Sequence, residues 1–72
     1  MSQPADLPPS AQHVYQALDE SSPLTLQSIC EQTDLAESTT RYALGHLSQA
    51  DLLVSRPDPA DARRRLYALE TS

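Results

Sequence analysis

Apolar and polar positions alternate with two different periods along this chain, and the change of period divides it. From Ala11 the apolar residues recur as Ala11, Val14, Tyr15 and Leu18. That is the i, i+3, i+4, i+7 spacing of one buried helical stripe, so the pattern predicts a helix from Ser10, placed to cap it, to about Glu20. Ser21-Ser22-Pro23 ends it, because the residue before proline avoids the α region. Leu24-Thr25-Leu26 reads as a short extended lead-in, with Thr25 suited to cap a second helix over Leu26 to Gln32 that turns Leu26, Ile29 and Cys30 inward. Thr33-Asp34-Leu35-Ala36 breaks this helix after two turns, with Asp34 where a left-handed residue is needed.

A third helix is predicted from Glu37 to Ala50. Thr40, Ala43, Leu44 and Leu47 form its buried face; Ser38, Tyr42, Gly45 and Gln49 fall on the opposite side, with Arg41 on the flank. Asp51 takes the place of a helix-ending glycine. The period then shortens. Leu52 to Arg56 is β-prone, residues 57–62 (PDPADA) are rich in turn formers, and Arg63 to Leu69 reads as the return strand of a hairpin. Leu66 and Tyr67 are both candidates for its buried face. The fold class expected is therefore mainly α with a small β-hairpin (α+β): three helices and a two- or three-stranded wing, the order of a winged helix-turn-helix. Residues 10–70 form this domain, and residues 1–9, with three of the six prolines, are expected to be a disordered or loosely docked tail.

Composition narrows the function classes. Seventy-two residues make one small domain, and with no Phe or Trp its eleven leucines carry most of the packing, so stability is expected to be modest. Neither a membrane-length apolar run nor a signal-peptide core is present, which points to a soluble cytoplasmic chain without a membrane partner. Cys30 is the only cysteine; its place in the second helix suits a core position, with redox sensing as the alternative. His13 and His46 share no ligand spacing with each other or with Cys30, so no metal or other cofactor is expected. No nucleophile–base pair or paired carboxylates stand out, and the chain does not read as an enzyme.

Charge changes the picture more. The formal net charge is −5, which argues against indiscriminate nucleic-acid binding. Yet residues 1–40 hold six acids and no base, whereas residues 41–72 hold all five bases (Arg41, Arg56, Arg63, Arg64, Arg65) against four acids. All five bases are arginine. An acid-rich, lysine-free composition is that of a protein working in concentrated salt; a GC-rich coding bias with an ordinary acidic surface is the other reading.

The segments carrying these residues resemble the MarR group of transcriptional regulators. Residues 24–35 (LTLQSICEQTDL) are similar to that group's second helix and turn, and residues 37–47 (ESTTRYALGHL) to its recognition helix. Residues 58–69 (DPADARRRLYAL) resemble its wing, where Asp-x-Arg precedes a basic and apolar return strand. The likeness covers roughly residues 10–70. Departures are Ala36 in place of a capping Ser or Thr, which leaves Glu37 or Ser38 to take that role, and Asp34 and Asp51 in place of the turn glycines. Helices that build a dimer and a ligand pocket in the group have no counterpart in these residues. The resemblance implies double-stranded DNA as partner, with Ser38, Thr39 and Arg41 at positions used on DNA.

Residue chemistry points the same way. Ser38 and Thr39 at a helix N-terminus offer hydroxyls and backbone N–H groups to a phosphate or base edge, and Arg41 reaches a guanine bidentately in the major groove. Arg63, Arg64 and Arg65 at the base of a projecting hairpin suit phosphates or the adjacent minor groove. Gly45, the only glycine, would let the exposed helix face approach a sugar–phosphate backbone closely. Each residue also has a plainer reading. Arg41 could be a solvated helix residue, and Tyr42 a phosphate contact, a dimer or partner contact, or plain surface. Arg63 could be tied to Asp61, and Arg56 could balance Asp58 or touch DNA. The candidate DNA-binding set is thus Ser38, Thr39, Arg41, Tyr42, Arg63, Arg64 and Arg65.

The function expected is sequence-specific binding of double-stranded DNA as a transcriptional regulator, with helix 37–50 in the major groove and wing 56–65 on the adjacent backbone or minor groove. The alternative is a winged-helix protein–protein interaction module in a larger transcription or assembly complex. A single module makes few base contacts, so a homodimer or a larger transcription complex is implied. Leu7, Val14 and Tyr15 would be its seam unless they are buried in the monomer.

Overall fold

The computed structural model describes residues 7–70. It orders them as α1 (Pro9–Ser21), β1 (Leu24–Thr25), α2 (Leu26–Thr33), α3 (Glu37–Gln49), β2 (Leu53–Asp58) and β3 (Asp61–Leu69). Three helices are followed by a wing, and the extended lead-in at Leu24 adds a third strand, giving one antiparallel sheet in the order β1-β3-β2. The mainly α, winged helix architecture read from the sequence is the one observed.

The start of α1 differs from the expectation. Ser10 does not cap it: Pro8 occupies the cap without a side-chain hydrogen bond, and Pro9 opens the helix. Proline at the first position has its φ preset and no N–H to satisfy, so the start moves ahead of the serine. The Gln12 side chain donates instead to the Leu7 carbonyl, at 2.7 Å. Residues 1–6 of the expected tail lie outside the described residues, but at its end Leu7 is buried in the core. Burial also settles the proposed seam. Leu7 and Val14 are inside, and Tyr15 packs half-buried against the core, so these side chains are occupied within the monomer.

Each later element ends for a visible reason. The Thr25 hydroxyl accepts from the Ser28 N–H at 3.2 Å and caps α2 as expected. Asp34 takes φ 59°, and its N–H bonds the Cys30 carbonyl at 2.8 Å. At the end of α3, Asp51 also takes φ 59°; its N–H reaches the Ser48 carbonyl and that of Leu52 the Leu47 carbonyl, the paired bonds of a Schellman motif. Both aspartates therefore do a glycine's conformational work.

The core is a small aliphatic cluster in which Val14, Leu18, Ile29 and Leu47 are fully buried. Thr40 is buried with them; its hydroxyl donates to the Ala36 carbonyl at 3.0 Å and accepts from the Cys30 thiol at 3.3 Å. Cys30 is half-buried rather than fully inside, and links α2 to α3.

The wing corrects the expected six-residue loop at 57–62. Strand pairing runs to Asp58 and resumes at Asp61, so only Pro59 and Ala60 make the turn, pinned by the Asp58 carboxylate accepting from the Ala60 N–H at 2.9 Å. Pro57 is tolerated inside β2 because that strand lies at the sheet edge, where a missing N–H costs least, and the register shifts beside it. Of the two candidates for the inner face, Tyr67 packs against the core together with Leu24, Leu53 and Leu69. Leu66, paired with Arg56, alternates to the outer face.

Candidate nucleic-acid interface

The first turns of α3 and the turn-proximal half of β3, rather than the base of the wing, line an open cleft of about 340 Å³. Arg41 lines it from α3, and Arg63, Arg64 and Arg65 from β3; Thr25 at the end of β1 and Gln27 in α2 also line it. Four of the five bases, some twenty positions apart in sequence, thus line one concavity on a molecule of net charge −5. The packing of α3 against α1 and of β3 against β1 fixes the two walls.

The wing arginines are organised by one carboxylate. Asp61 Oδ1 accepts from the Arg63 backbone N–H at 3.0 Å and from its Nε at 3.2 Å, while Oδ2 accepts from Arg63 Nη2 at 3.4 Å and lies 3.8 Å from Arg64 Nε. These contacts hold the Asp61 carboxyl below its ordinary pKa, the Arg63 side-chain hydrogen bond contributing most, then its backbone N–H and the charge of Arg64. The structural role read for Arg63 is present, and Arg64 shares it more weakly. Neither is consumed: the Arg63 side chain is 91% exposed and that of Arg64 61%. Arg65 Nη2 donates across the hairpin to Ser55 Oγ at 3.3 Å.

On α3, Arg41 Nε lies 3.5 Å from Glu37 Oε2, an exposed i,i+4 pair. Neither Glu37 nor Ser38 caps this helix; Ala36 is the cap residue and contributes no side-chain bond, so the first-turn N–H groups are not taken up by a capping side chain. Ser38 is exposed and Thr39 half-buried. Tyr42 is 55% exposed, its ring edge-on to His46 with centroids 4.5 Å apart. Ser38, Thr39 and Tyr42 lie on α3 without lining the cleft. Gly45 is exposed, and a Cβ built on it meets nothing within 4 Å.

Arg56 is the exception among the bases. It forms no ion pair with Asp58 among the described residues, and it lies on the outer sheet face with Val54, Leu66 and Ala68, away from the cleft. Sequence reasoning missed Glu37, Thr25 and Gln27 as cleft residues. The i,i+4 spacing of Glu37 and Arg41 was a usable signal for the first, whereas nothing local marks the other two. Among the described residues, no group of three His, Cys, Asp or Glu is placed to hold a metal ion, and no helix is long and apolar enough to cross a membrane.

The backbone is similar to those of solved MarR-family regulators. The PcaV transcriptional regulator of Streptomyces coelicolor, in complex with its natural ligand, superposes with a TM-score of 0.83 at 28% identity, over 88% of this chain and 45% of that one. BpsR of Bordetella bronchiseptica, whose DNA binding is regulated by 6-hydroxynicotinic acid, gives 0.82 at 26% identity, over 96% and 52%. MepR of S. aureus, solved in complex with DNA, gives 0.83 at 24% identity, over 92% and 55%. The chain spans about half the length of these neighbours. No curated protein matches it significantly. Residues 12–69, from early in α1 to the end of β3, match the family model described as a winged helix DNA-binding domain, and the chain belongs to that family.

Proposed function

We propose that this domain binds double-stranded DNA in a sequence-dependent way as the reading head of a transcriptional regulator. The α3 helix enters the major groove with Arg41 on a guanine edge and Ser38 and Thr39 on neighbouring phosphates or bases. Tyr42 takes a phosphate from the exposed flank. Arg63, Arg64 and Arg65 hold the adjacent backbone or the minor groove beside it. One observation carries this reading: four arginines from two separate elements converge on one cleft of an otherwise acidic molecule. The similar fold of MepR, solved in complex with DNA, is in keeping with it. With so few base contacts, useful affinity comes from two copies on a pseudo-palindrome or from a larger transcription complex.

A protein-contact role is favoured by a different surface, the outer sheet face where Val54 is 40% exposed beside Arg56 and Glu70. A duplex titration followed by amide shifts at several salt concentrations separates the two. DNA binding moves Ser38 to Tyr42 and Arg63 to Arg65, with affinity falling as salt rises. Arg64→Ala weakens all duplexes alike and lowers the salt slope by about one, whereas Arg41→Ala relaxes base preference by about 1–3 kcal/mol. Shifts confined to Val54, Arg56 and Glu70 on adding partner proteins, with none on adding duplex, overturn the DNA reading.

A further inference from the structure

Glu37 is out of place in a cleft that receives phosphates. It is the only acid among the cleft's lining residues, one helical turn from Arg41 and on the other wall from Arg63, Arg64 and Arg65. Its side chain is 69% exposed, it is not the cap of α3, and its ionic partner is Arg41. A carboxylate so placed repels any DNA backbone that enters, an effect that weakens binding to every sequence alike. The contact it makes is specific, however. Glu37 approaches Arg41 through Nε, at 3.5 Å, and Arg41 has no other hydrogen-bond or ionic partner among the described residues. An arginine held at Nε keeps both terminal Nη groups for the O6 and N7 of a guanine, the bidentate contact that distinguishes this base.

We propose that Glu37 is a positioning residue that sets sequence discrimination: it holds Arg41 for an end-on guanine contact and opposes phosphates that would neutralise the arginine without reading a base. This rests on the DNA-binding reading of the cleft and deepens it. The carboxylate lowers affinity for non-cognate duplex and raises the ratio of cognate to non-cognate binding. Arg64, only loosely paired with Asp61, and Arg65, bonded to the Ser55 hydroxyl, supply sequence-independent grip from the wing.

The test uses the full chain and two probes: a duplex that the wild-type chain selects from a randomised pool, and a scrambled duplex of the same composition. Glu37→Gln, which removes the charge and keeps the shape, is expected to tighten binding to the scrambled duplex on the order of 3–10-fold. The cognate-to-scrambled ratio is expected to fall by roughly 2–5-fold, the scale of an exposed ion pair. In an Arg41→Ala background the same change should still tighten both probes but leave the ratio unmoved, because the arginine it positions is gone. Recovery of no duplex from the pool by the wild-type chain sinks the DNA-binding reading, and the proposal with it. If a duplex is recovered, three results overturn the role of Glu37 while leaving that reading intact. These are an unchanged ratio in Glu37→Gln, a ratio change that persists without Arg41, and a fall in thermal stability as the only effect.

Discussion

Gly45 offers a test in which stability and binding should move in opposite directions. It lies in the interior of α3, one turn beyond Arg41, on an exposed face. Glycine there loses backbone entropy that alanine does not, a difference of about 0.8–1 kcal/mol in a helix interior. Two structural facts let that figure transfer without correction. Its φ is not positive, so alanine introduces no strain, and an added Cβ meets no atom within 4 Å, so there is neither clash nor packing gain. Gly45→Ala should therefore stabilise the domain by about 1 kcal/mol, equivalent to a rise in Tm of roughly 4–8 °C for a chain of this size. Urea unfolding followed by circular dichroism checks it, with a higher midpoint at unchanged slope. Duplex affinity, by contrast, should fall, since Glu37, Arg41 and Gly45 form one i,i+4 stripe and a methyl group there obstructs close approach to the sugar–phosphate backbone. A midpoint that stays level or drops refutes the helix-propensity argument. Stabilisation with unaltered affinity refutes the close approach.

Other expectations follow from the same coordinates. Leu47→Ala empties a fully buried site and should cost about 2–5 kcal/mol, a large share of what so small an aliphatic core supplies, measurable as a collapse of the urea midpoint. Asp34→Gly relieves a left-handed residue at no loss of its backbone bond to Cys30 and should be neutral or stabilising by up to about 1 kcal/mol, whereas Asp34→Val should destabilise by more than that in the same assay. Asp61 titrates lower in the folded protein than in the unfolded chain. Its contribution to wing order is therefore present above the unfolded aspartate pKa of about 3.9 and is lost as pH falls through the folded value. A side-chain carboxyl NMR titration should place its midpoint below the ordinary aspartate value of about 3.9; a midpoint at or above that value contradicts the Arg63 contact.

Local signals were enough for most of the framework. The 3.6-residue spacing of Ala11, Val14 and Leu18, and of Thr40, Ala43, Leu44 and Leu47, located the buried faces of two helices, because a helix in a domain this small must turn its apolar stripe to the core. Thr25 as a cap and Asp34 and Asp51 as left-handed turns were equally legible, since those roles depend on a residue's own backbone and hydroxyl or carboxylate chemistry. Where two local signals competed, the reading failed. Ser10 looked like a cap until the neighbouring Pro9 took the helix start, and turn formers at Pro57 and Asp58 hid strand positions that the sheet edge tolerates.

What the sequence determined by itself is therefore a set of elements, their order and the confinement of every base to the second half of the chain, all properties set within a helical turn or a strand. Tertiary packing decided which of those bases meet. Arg41 and the Arg63–Arg65 run share a cleft because α3 docks on α1 while β3 is held between β1 and β2, and Arg56 is turned to the other sheet face by the two-residue alternation of β2. The same packing set the Glu37–Arg41 pair, itself a local i,i+4 contact within α3, into the lining of that cleft. Charge in sequence is additive, whereas an electrostatic site depends on distances between elements, and those distances exist only once the core has closed.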